Sequence, residues 1–218
     1  MHRFIYLLPL IIILSSCSGA GEVDDTFTRI VNLHASDDRS GLEEFYDEDT
    51  HHYLDQLVKF AKSNNVEQAR LLGREYKLPI STLLLYHVIT VPVSQRDTTN
   101  SSFASKEFLW LYMSMTGMGI YRHTSEHQIK IHESAKIYGD VAELQVAVPT
   151  GSNARLGSTY IFNREGDRWK LNFPSTMGTI EKVHIQNQRR SGLSIEEYVQ
   201  MIGEQPEEEI QFQYRKYY

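Results

Sequence analysis

Apolar residues recur with the period of an α-helix through much of the first half of the chain. Ser40 and Glu43, three residues apart, form a pattern typical of a helix start. Seven apolar residues at helical spacing follow, with a break around Asp49 as the alternative to one continuous helix: Phe45, Tyr46, Tyr53, Leu54, Leu57, Val58 and Ala61. Asn65 and Gly73 predict the beginning and end of a shorter helix. Pro79 predicts the first position of a third helix, which is apolar on nearly every face.

A polar segment separates these helices from a fourth. Residues 92–104 ("PVSQRDTTNSSFA") predict a loop, because they lack any apolar period. Ser105 then predicts the cap of an aromatic helix, "KEFLWLYMSM", which Gly117 and Gly119 end. The first half of the protein beyond residue 40 is therefore predicted to be helical.

The pattern changes to the period of a β-strand from residue 127 onwards. Alternating segments occupy 127–134, 140–148 and 158–173. The last of them contains two strands and a tight turn at Gly166, and the connections suit consecutive antiparallel strands with one buried face. The stretch 177–187 is predicted to extend the sheet, whereas Ser194 and Pro206 are predicted to begin two final helices. Helices followed by a meander predict an α+β fold, with helices on one face of a curved antiparallel sheet and extra C-terminal helices.

The most apolar run lies at the N-terminus and ends on the chain's single cysteine, Cys17. Residues 4–14 are about half as long as a membrane span requires, and Pro9 interrupts them. A basic start, an apolar centre and small residues are typical of a secretory signal. An ordinary signal peptide with a coincidental cysteine, or a buried N-terminal helix, are the alternatives.

Leu14-Ser15-Ser16-Cys17 resembles a bacterial lipobox. The resemblance implies removal of the signal peptide 1–16 and acylation of Cys17, with residues 17–39 as the lipidated cysteine and tether and 40–218 as a single domain. The small and acidic residues 18–25 are predicted to be flexible. Several acyl chains anchor a protein stably without a spanning segment. In such signals, Ser18 after the cysteine implies sorting to the outer membrane, facing the periplasm.

Charge limits the partners that this chain could bind. Cleavage before Cys17 would remove Arg3 and no acidic residue, so 21 Lys and Arg would stand against 28 Asp and Glu, a formal charge of −7. This balance disfavours nucleic acid and anionic lipid surfaces as partners. An acylated Cys17 would also leave no thiol for a disulfide, so the domain would fold without one.

The segment "IYGDVAELQVAV … GSTYIFNREGDRWKLNF" resembles the sheet of the NTF2-like (cystatin-like roll) superfamily. The matching positions hold Gly139, Asp140, Ala142, Trp169 and Lys170, within residues 127–174. The resemblance implies a sheet that closes a cone around a pocket. It indicates a fold and not an activity.

If such a cone is present, aromatic and titratable side chains would line it. The candidates for the pocket are Trp110, Tyr112, His132, Tyr160 and Trp169. Isomerases of that superfamily place a carboxylate base and an oxyanion partner in the cone, for which Asp140 and Glu143 are further candidates. None of them maps onto a catalytic set, and the large aromatics are also suited to a hydrophobic core.

One short motif suggests metal chemistry. "HTSEH" matches H-x-x-E-H, in which His123 and His127 would bind zinc and Glu126 would activate water. This requires a helix, and the nearby glycines and the strand pattern from His127 disfavour one. In a strand the two histidines would lie about 13 Å apart. The adjacent pair His51 and His52 would point in different directions on a helix.

No other motif indicates a cofactor or a catalytic nucleophile. The sequence has no G-x-S-x-G elbow and no glycine-rich phosphate loop. The leading hypothesis is a non-catalytic envelope lipoprotein whose domain binds a protein partner. The alternatives are a binder of a small apolar ligand in the cone, and an isomerase-like or metal-dependent enzyme.

Overall fold

The computed structural model describes residues 7–35, 41–90, 130–150 and 153–203. Within them the fold is α+β, as predicted, with helices and a four-stranded antiparallel sheet that is not closed. The residues group into two compact units, each built from two separate stretches of chain. The sheet unit comprises residues 1–47 and 124–172, and the helical unit comprises 48–123 and 173–218. The sequence predicts a single domain over 40–218. Local periodicity does not reveal which distant stretches of chain pack together, so the sequence alone does not indicate these two units.

Four consecutive strands pair in the order β1-β2-β3-β4. They are β1 (Lys130–Tyr138), β2 (Val141–Thr150), β3 (Asn153–Glu165) and β4 (Arg168–Leu171). Two-residue turns join β1 to β2 and β3 to β4, and each begins with a glycine, Gly139 or Gly166, at φ 65°. A positive φ at the first central position is what tight hairpin turns require. The predicted turn at Gly166 and the antiparallel order are confirmed.

A long helix, α1 (Leu7–Ala35), packs on one face of the sheet. Val23, Phe27 and Ile30 form its buried stripe. The buried residues of the sheet are Ala135, Ala142, Leu144, Val146, Tyr160, Phe162, Trp169 and Leu171. The flexible tether predicted over 18–25 is therefore wrong for the described residues from Gly19 onwards. The spacing of four and three residues between Val23, Phe27 and Ile30 makes this segment an amphipathic helix.

The outer edge of β4 pairs with the chain just before the helical unit. A short 3₁₀ helix (Leu42–Phe45) ends at Tyr46, which is extended and forms a parallel bridge with Leu171. The N–H of Asp47 donates to the carbonyl oxygen of Leu171 at 3.2 Å. Phe45 and Tyr46 therefore do not belong to the first α-helix of the helical unit, contrary to the prediction from Ser40 and Glu43.

Five helices are described in the helical unit. They are α2 (Glu48–Lys62), α3 (Val66–Glu75), α4 (Pro79–Thr90), α5 (Phe173–Ser191) and α6 (Ile195–Gly203). Three predicted starts are confirmed. The Asn65 side chain caps α3 by accepting from the N–H of Gln68 at 3.2 Å, Pro79 is the first residue of α4, and Ser194 precedes α6.

Two predicted features of this unit are wrong. Gly73 does not end α3 but lies buried within it, where an added Cβ would approach the backbone of Leu78 and Pro79 to 3.1 Å. The stretch 177–187 lies in α5 and not in the sheet, because Met177, Glu181 and His184 are buried at helical spacing. The loop 92–104, the helix after Ser105 and the helix after Pro206 lie outside the described residues.

Candidate functional site

Two aromatic residues predicted to line a pocket belong to the core of the sheet unit. Tyr160 is 1% exposed, and its ring centroid lies 4.7 Å from that of Phe27 in α1. Trp169 is 4% exposed, and the Arg164 guanidinium lies 5.9 Å from the centre of its ring. A Cβ built on Gly19 of α1 would lie 3.8 Å from Trp169 Nε1, which has no hydrogen-bond partner within the described structure. Both residues therefore contribute to the packing of α1 on the sheet.

The polar candidates on the sheet are not brought together with Tyr160. His132 is exposed on β1, and Glu143 is exposed on β2 opposite Lys136. Asp140 lies exposed in the β1–β2 turn, where its backbone oxygen accepts from the N–H of Arg164 at 2.8 Å. Of the other predicted residues, Trp110, Tyr112, His123, Glu126 and His127 lie outside the described residues.

A buried polar cluster in the sheet unit was not predicted from the sequence. The carboxylate of Asp47 accepts from the side-chain amides of Asn163 at 2.8 Å and Asn172 at 2.7 Å. Asp47 is 1% exposed and its bond to Asn172 is buried, whereas Asn163 is half-buried. Beside it along the chain, burial and the nearby Tyr160 raise the pKa of Tyr46 well above its ordinary value. The cluster joins residue 47 to the end of the sheet and has a structural role.

The helical unit contains a second buried carboxylate, Glu181 of α5. It accepts from the backbone N–H groups of Ile80 at 3.0 Å and Ser81 at 2.8 Å, and from the Ser81 hydroxyl at 2.6 Å. These are the first donors of α4, because Pro79 has no N–H. Glu181 therefore caps α4 from a helix that is a hundred residues away in the sequence.

His184, one turn after Glu181, is a buried histidine held in its neutral form. Its Nδ1 lies 3.3 Å from the Tyr198 hydroxyl, and burial lowers its pKa to about 4. An ordinary histidine in an unfolded chain has a pKa near 6.5. Between these two values the unfolded chain binds a proton that the folded chain does not bind. The stability that His184 contributes is therefore complete above pH 6.5 and is lost as the pH falls towards 4.

We expect the free energy of unfolding to contain a pH-dependent term from His184 of roughly 3 kcal/mol between pH 6.5 and 4. In His184→Gln that term should disappear, so the variant should lose less stability on acidification than the wild type. Urea unfolding of the full chain at several pH values measures the difference. His52→Gln, at an exposed histidine of α2, is the matched control and should retain the wild-type slope. An unchanged slope in His184→Gln would contradict the assignment.

The described part of the helical unit also contains a half-open cleft of about 240 Å³. We call it the α3–α4–α6 cleft. It is lined by Val66 and Arg70 of α3, by Leu83, Tyr86, His87 and Thr90 of α4, and by Glu196, Val199 and Gln200 of α6. Arg70 Nε and His87 Nε2 are buried and have no hydrogen-bond partner within the described structure. Buried polar atoms are usually paired, so two unpaired nitrogens on residues of one cleft need an explanation.

The charges around the cleft are unbalanced towards negative. Arg70 forms an ion pair with Glu67 through Nη1 and with Glu196 through Nη2, the latter at 2.9 Å. One guanidinium therefore faces two carboxylates, and both carboxylates are more than half exposed. The site as a whole does not suit an anion. It can donate a hydrogen bond from Arg70 Nε to a neutral oxygen and can attract a cation to its rim.

The sequence contained little signal for this cleft. Arg70, His87 and Glu196 lie on three different helices, and none of them belongs to a motif. Only the apolar pattern of α4 indicated that this helix is surrounded by other elements.

Comparison with known proteins does not assign the site: the chain matches no family model, no curated protein and no solved structure. Among the described residues, no group of three or more His, Cys, Asp or Glu side chains is arranged to hold a metal ion. The same residues include no helix with the length and apolar character needed to cross a bilayer.

Proposed function

We propose that this protein is a lipoprotein of the bacterial cell envelope that binds another protein through the α3–α4–α6 cleft. Acyl chains on Cys17 would hold it to the outer membrane, facing the periplasm. In this proposal the sheet unit is an NTF2-like roll. Its consecutive antiparallel strands, and the register shifts within β1 and between Val146 and Ala147, are compatible with a curved sheet of that kind.

The observation that carries the binding proposal is that Arg70 Nε and His87 Nε2, on residues that line the cleft, have no hydrogen-bond partner among the residues that the structure describes. The cleft of about 240 Å³ is smaller than the roughly 300 Å³ at which pockets for small molecules usually begin. It is better suited to one anchoring side chain of a partner, packed against Val66, Leu83 and Val199. Backbone carbonyl oxygens of the same partner segment could accept from Arg70 Nε and His87 Nε2.

The charge of the residues around the cleft indicates which charge the partner should carry. Glu67 and Glu196 outnumber Arg70, so a Lys or Arg beside the anchoring residue would be favoured. The alternative of an apolar ligand within the sheet is less favoured, because Tyr160 and Trp169 pack in the core with α1.

Selection of random peptides on the full chain in detergent tests this proposal. We expect enrichment of an aromatic or aliphatic residue next to Lys or Arg. Val66→Trp should fill the mouth of the cleft and weaken an enriched peptide at least about tenfold, the loss expected when an anchor worth about 1.4 kcal/mol is removed. Val66 is 37% exposed, so a larger side chain is compatible with folding.

Leu71→Trp provides the matched control. Leu71 lies on the same helix and is 51% exposed, but it does not line the cleft. Its substitution should leave peptide affinity within about twofold of the wild type. No enrichment, or equal affinity in Val66→Trp and the wild type, would be evidence against protein binding at this site.

A further inference from the structure

The end of the sheet unit that carries its two hairpin turns has an exposed apolar surface. Ile137 and Tyr138 precede the β1–β2 turn and Val141 follows it; they are 36%, 59% and 39% exposed. Tyr138 and Val141 are cross-strand partners, so their side chains lie close together. Ile137 pairs with Ala142 and therefore lies on the opposite face of the hairpin, so the tip exposes large apolar side chains on both of its faces.

The β3–β4 turn lies at the same end of the sheet. Val141 pairs with Asn163, and the N–H of Arg164 donates to the backbone oxygen of Asp140 at 2.8 Å. The β3–β4 turn begins two residues after Arg164. We call this surface the turn end and define it by the apolar residues Ile137, Tyr138 and Val141 and the charged residues Asp140, Arg164, Asp167 and Arg168.

Formal charges at the turn end balance. The exposed Arg164 and Arg168 are offset by Asp140 and Asp167 in the two turns. Because these charges balance, binding of the turn end to a surface would not require that surface to be anionic.

The N-terminal part of α1 reaches the sheet at this same end. Gly19 lies beside Trp169, and Trp169 follows directly after Arg168. The backbone of Cys17 belongs to α1 and lies six residues before the fully buried Val23. Six helical residues span about 9 Å. Any lipid attached to Cys17 would therefore emerge close to the turn end, without a long flexible tether.

We infer that the turn end rests in the headgroup layer of the membrane, with Ile137, Tyr138 and Val141 in contact with lipid. The inference rests on the proposed acylation of Cys17 and adds to it an orientation and a second contact. Tyrosine is enriched at the membrane interface because its ring is apolar and its hydroxyl is polar. Since the charges of the turn end balance, a zwitterionic bilayer is a sufficient partner. The short connection to the anchor keeps the turn end within reach of the lipid surface.

The test uses the acylated protein that begins at Cys17, in phosphatidylcholine vesicles. Cys17 is the chain's single cysteine and is blocked when acylated, so Tyr138→Cys can be labelled selectively with nitrobenzoxadiazole. His132→Cys is the matched control, because His132 is exposed on the same strand, about 20 Å from Tyr138. A headgroup layer is only about 5–8 Å deep, so the control label should lie outside it.

We expect doxyl-labelled phosphatidylcholine to quench the label at position 138 at least about twofold more strongly than the label at position 132. Equal quenching at both positions would indicate a freely tumbling domain and would overturn the inference, as would stronger quenching at position 132. Mass spectrometry of the same samples distinguishes failure of the proposed acylation of Cys17 from failure of the proposed orientation of the turn end. A protein that carries acylated Cys17 but shows no preference for position 138 retains the anchor and loses the orientation. An unmodified Cys17 and no retention on vesicles would refute the anchor and the inference together.

Discussion

Replacement of Glu181 by alanine is expected to lower the free energy of unfolding by about 3–5 kcal/mol, because removal of one partner from a buried charged group leaves the others unsatisfied. Glu181 is 2% exposed and accepts from two backbone N–H groups and one hydroxyl at the start of α4. Ile80 and Ser81, which carry these donors, are 1% and 2% exposed. The helix N-terminus would also lose the negative charge that its dipole favours.

Glu181→Gln and Glu75→Ala are the variants for comparison in urea unfolding. The glutamine retains one acceptor oxygen but turns an amide group towards donors, so we expect a loss between the wild type and Glu181→Ala. Glu75 is exposed at the end of α3, and its replacement should change stability by less than about 0.5 kcal/mol. A Glu181→Ala protein within about 1 kcal/mol of the wild type would show that the cap is unimportant.

Cys17→Ala is expected to abolish membrane association. The variant would lack the only thiol that can accept a diacylglyceryl group. Stable anchoring requires two or more acyl chains, at about 0.8 kcal/mol per buried methylene group, so loss of the acylation site should release the protein. The buried contacts described for α1 are made by Val23, Phe27 and Ile30, six or more positions after Cys17, and we therefore expect the released protein to remain folded.

Membrane fractionation and intact mass measure this effect. Ser18→Ala is the control, because it changes the neighbouring residue and leaves the thiol in place. It should retain both the lipid mass and the membrane fraction. If Cys17→Ala fractionated like the wild type and had an unchanged lipid mass, the lipoprotein assignment would be wrong.

Features that depend on a few neighbouring residues were predicted well. Ser194 and Glu197 form a reciprocal cap at the start of α6, with the Ser194 N–H donating to Glu197 Oε2 at 2.8 Å and the Glu197 N–H donating to Ser194 Oγ at 3.2 Å. These bonds lower the pKa of Glu197. The predicted tight turn at Gly166 likewise follows from the freedom of glycine to adopt a positive φ, and Gly139 has the same φ in the β1–β2 turn.

Features that depend on packing were predicted less well. Gly73 looked like a helix end, but in the fold it allows the start of α4 to approach α3. Residues 177–187 contain apolar residues compatible with a strand or a helix, and the structure places them in α5. Residues 18–25 look like a linker by composition, yet the described residues from Gly19 onwards form part of a helix that covers the sheet. Short apolar patterns do not distinguish these cases, because the deciding contacts come from other elements.

The sequence by itself determined the caps of α3 and α6 and the turn at Gly166, because these features depend on hydrogen bonds and backbone conformation within about four residues. Only the tertiary structure decided which residues are functional candidates. Asp47 binds Asn163 and Asn172, which lie more than a hundred residues later in the sequence. Glu181 binds Ile80 and Ser81 across about a hundred residues. The α3–α4–α6 cleft is formed by three separate helices. A buried polar group is costly unless a partner lies within hydrogen-bond distance. For these groups the partners are distant in the sequence, so only the tertiary fold brings them close enough.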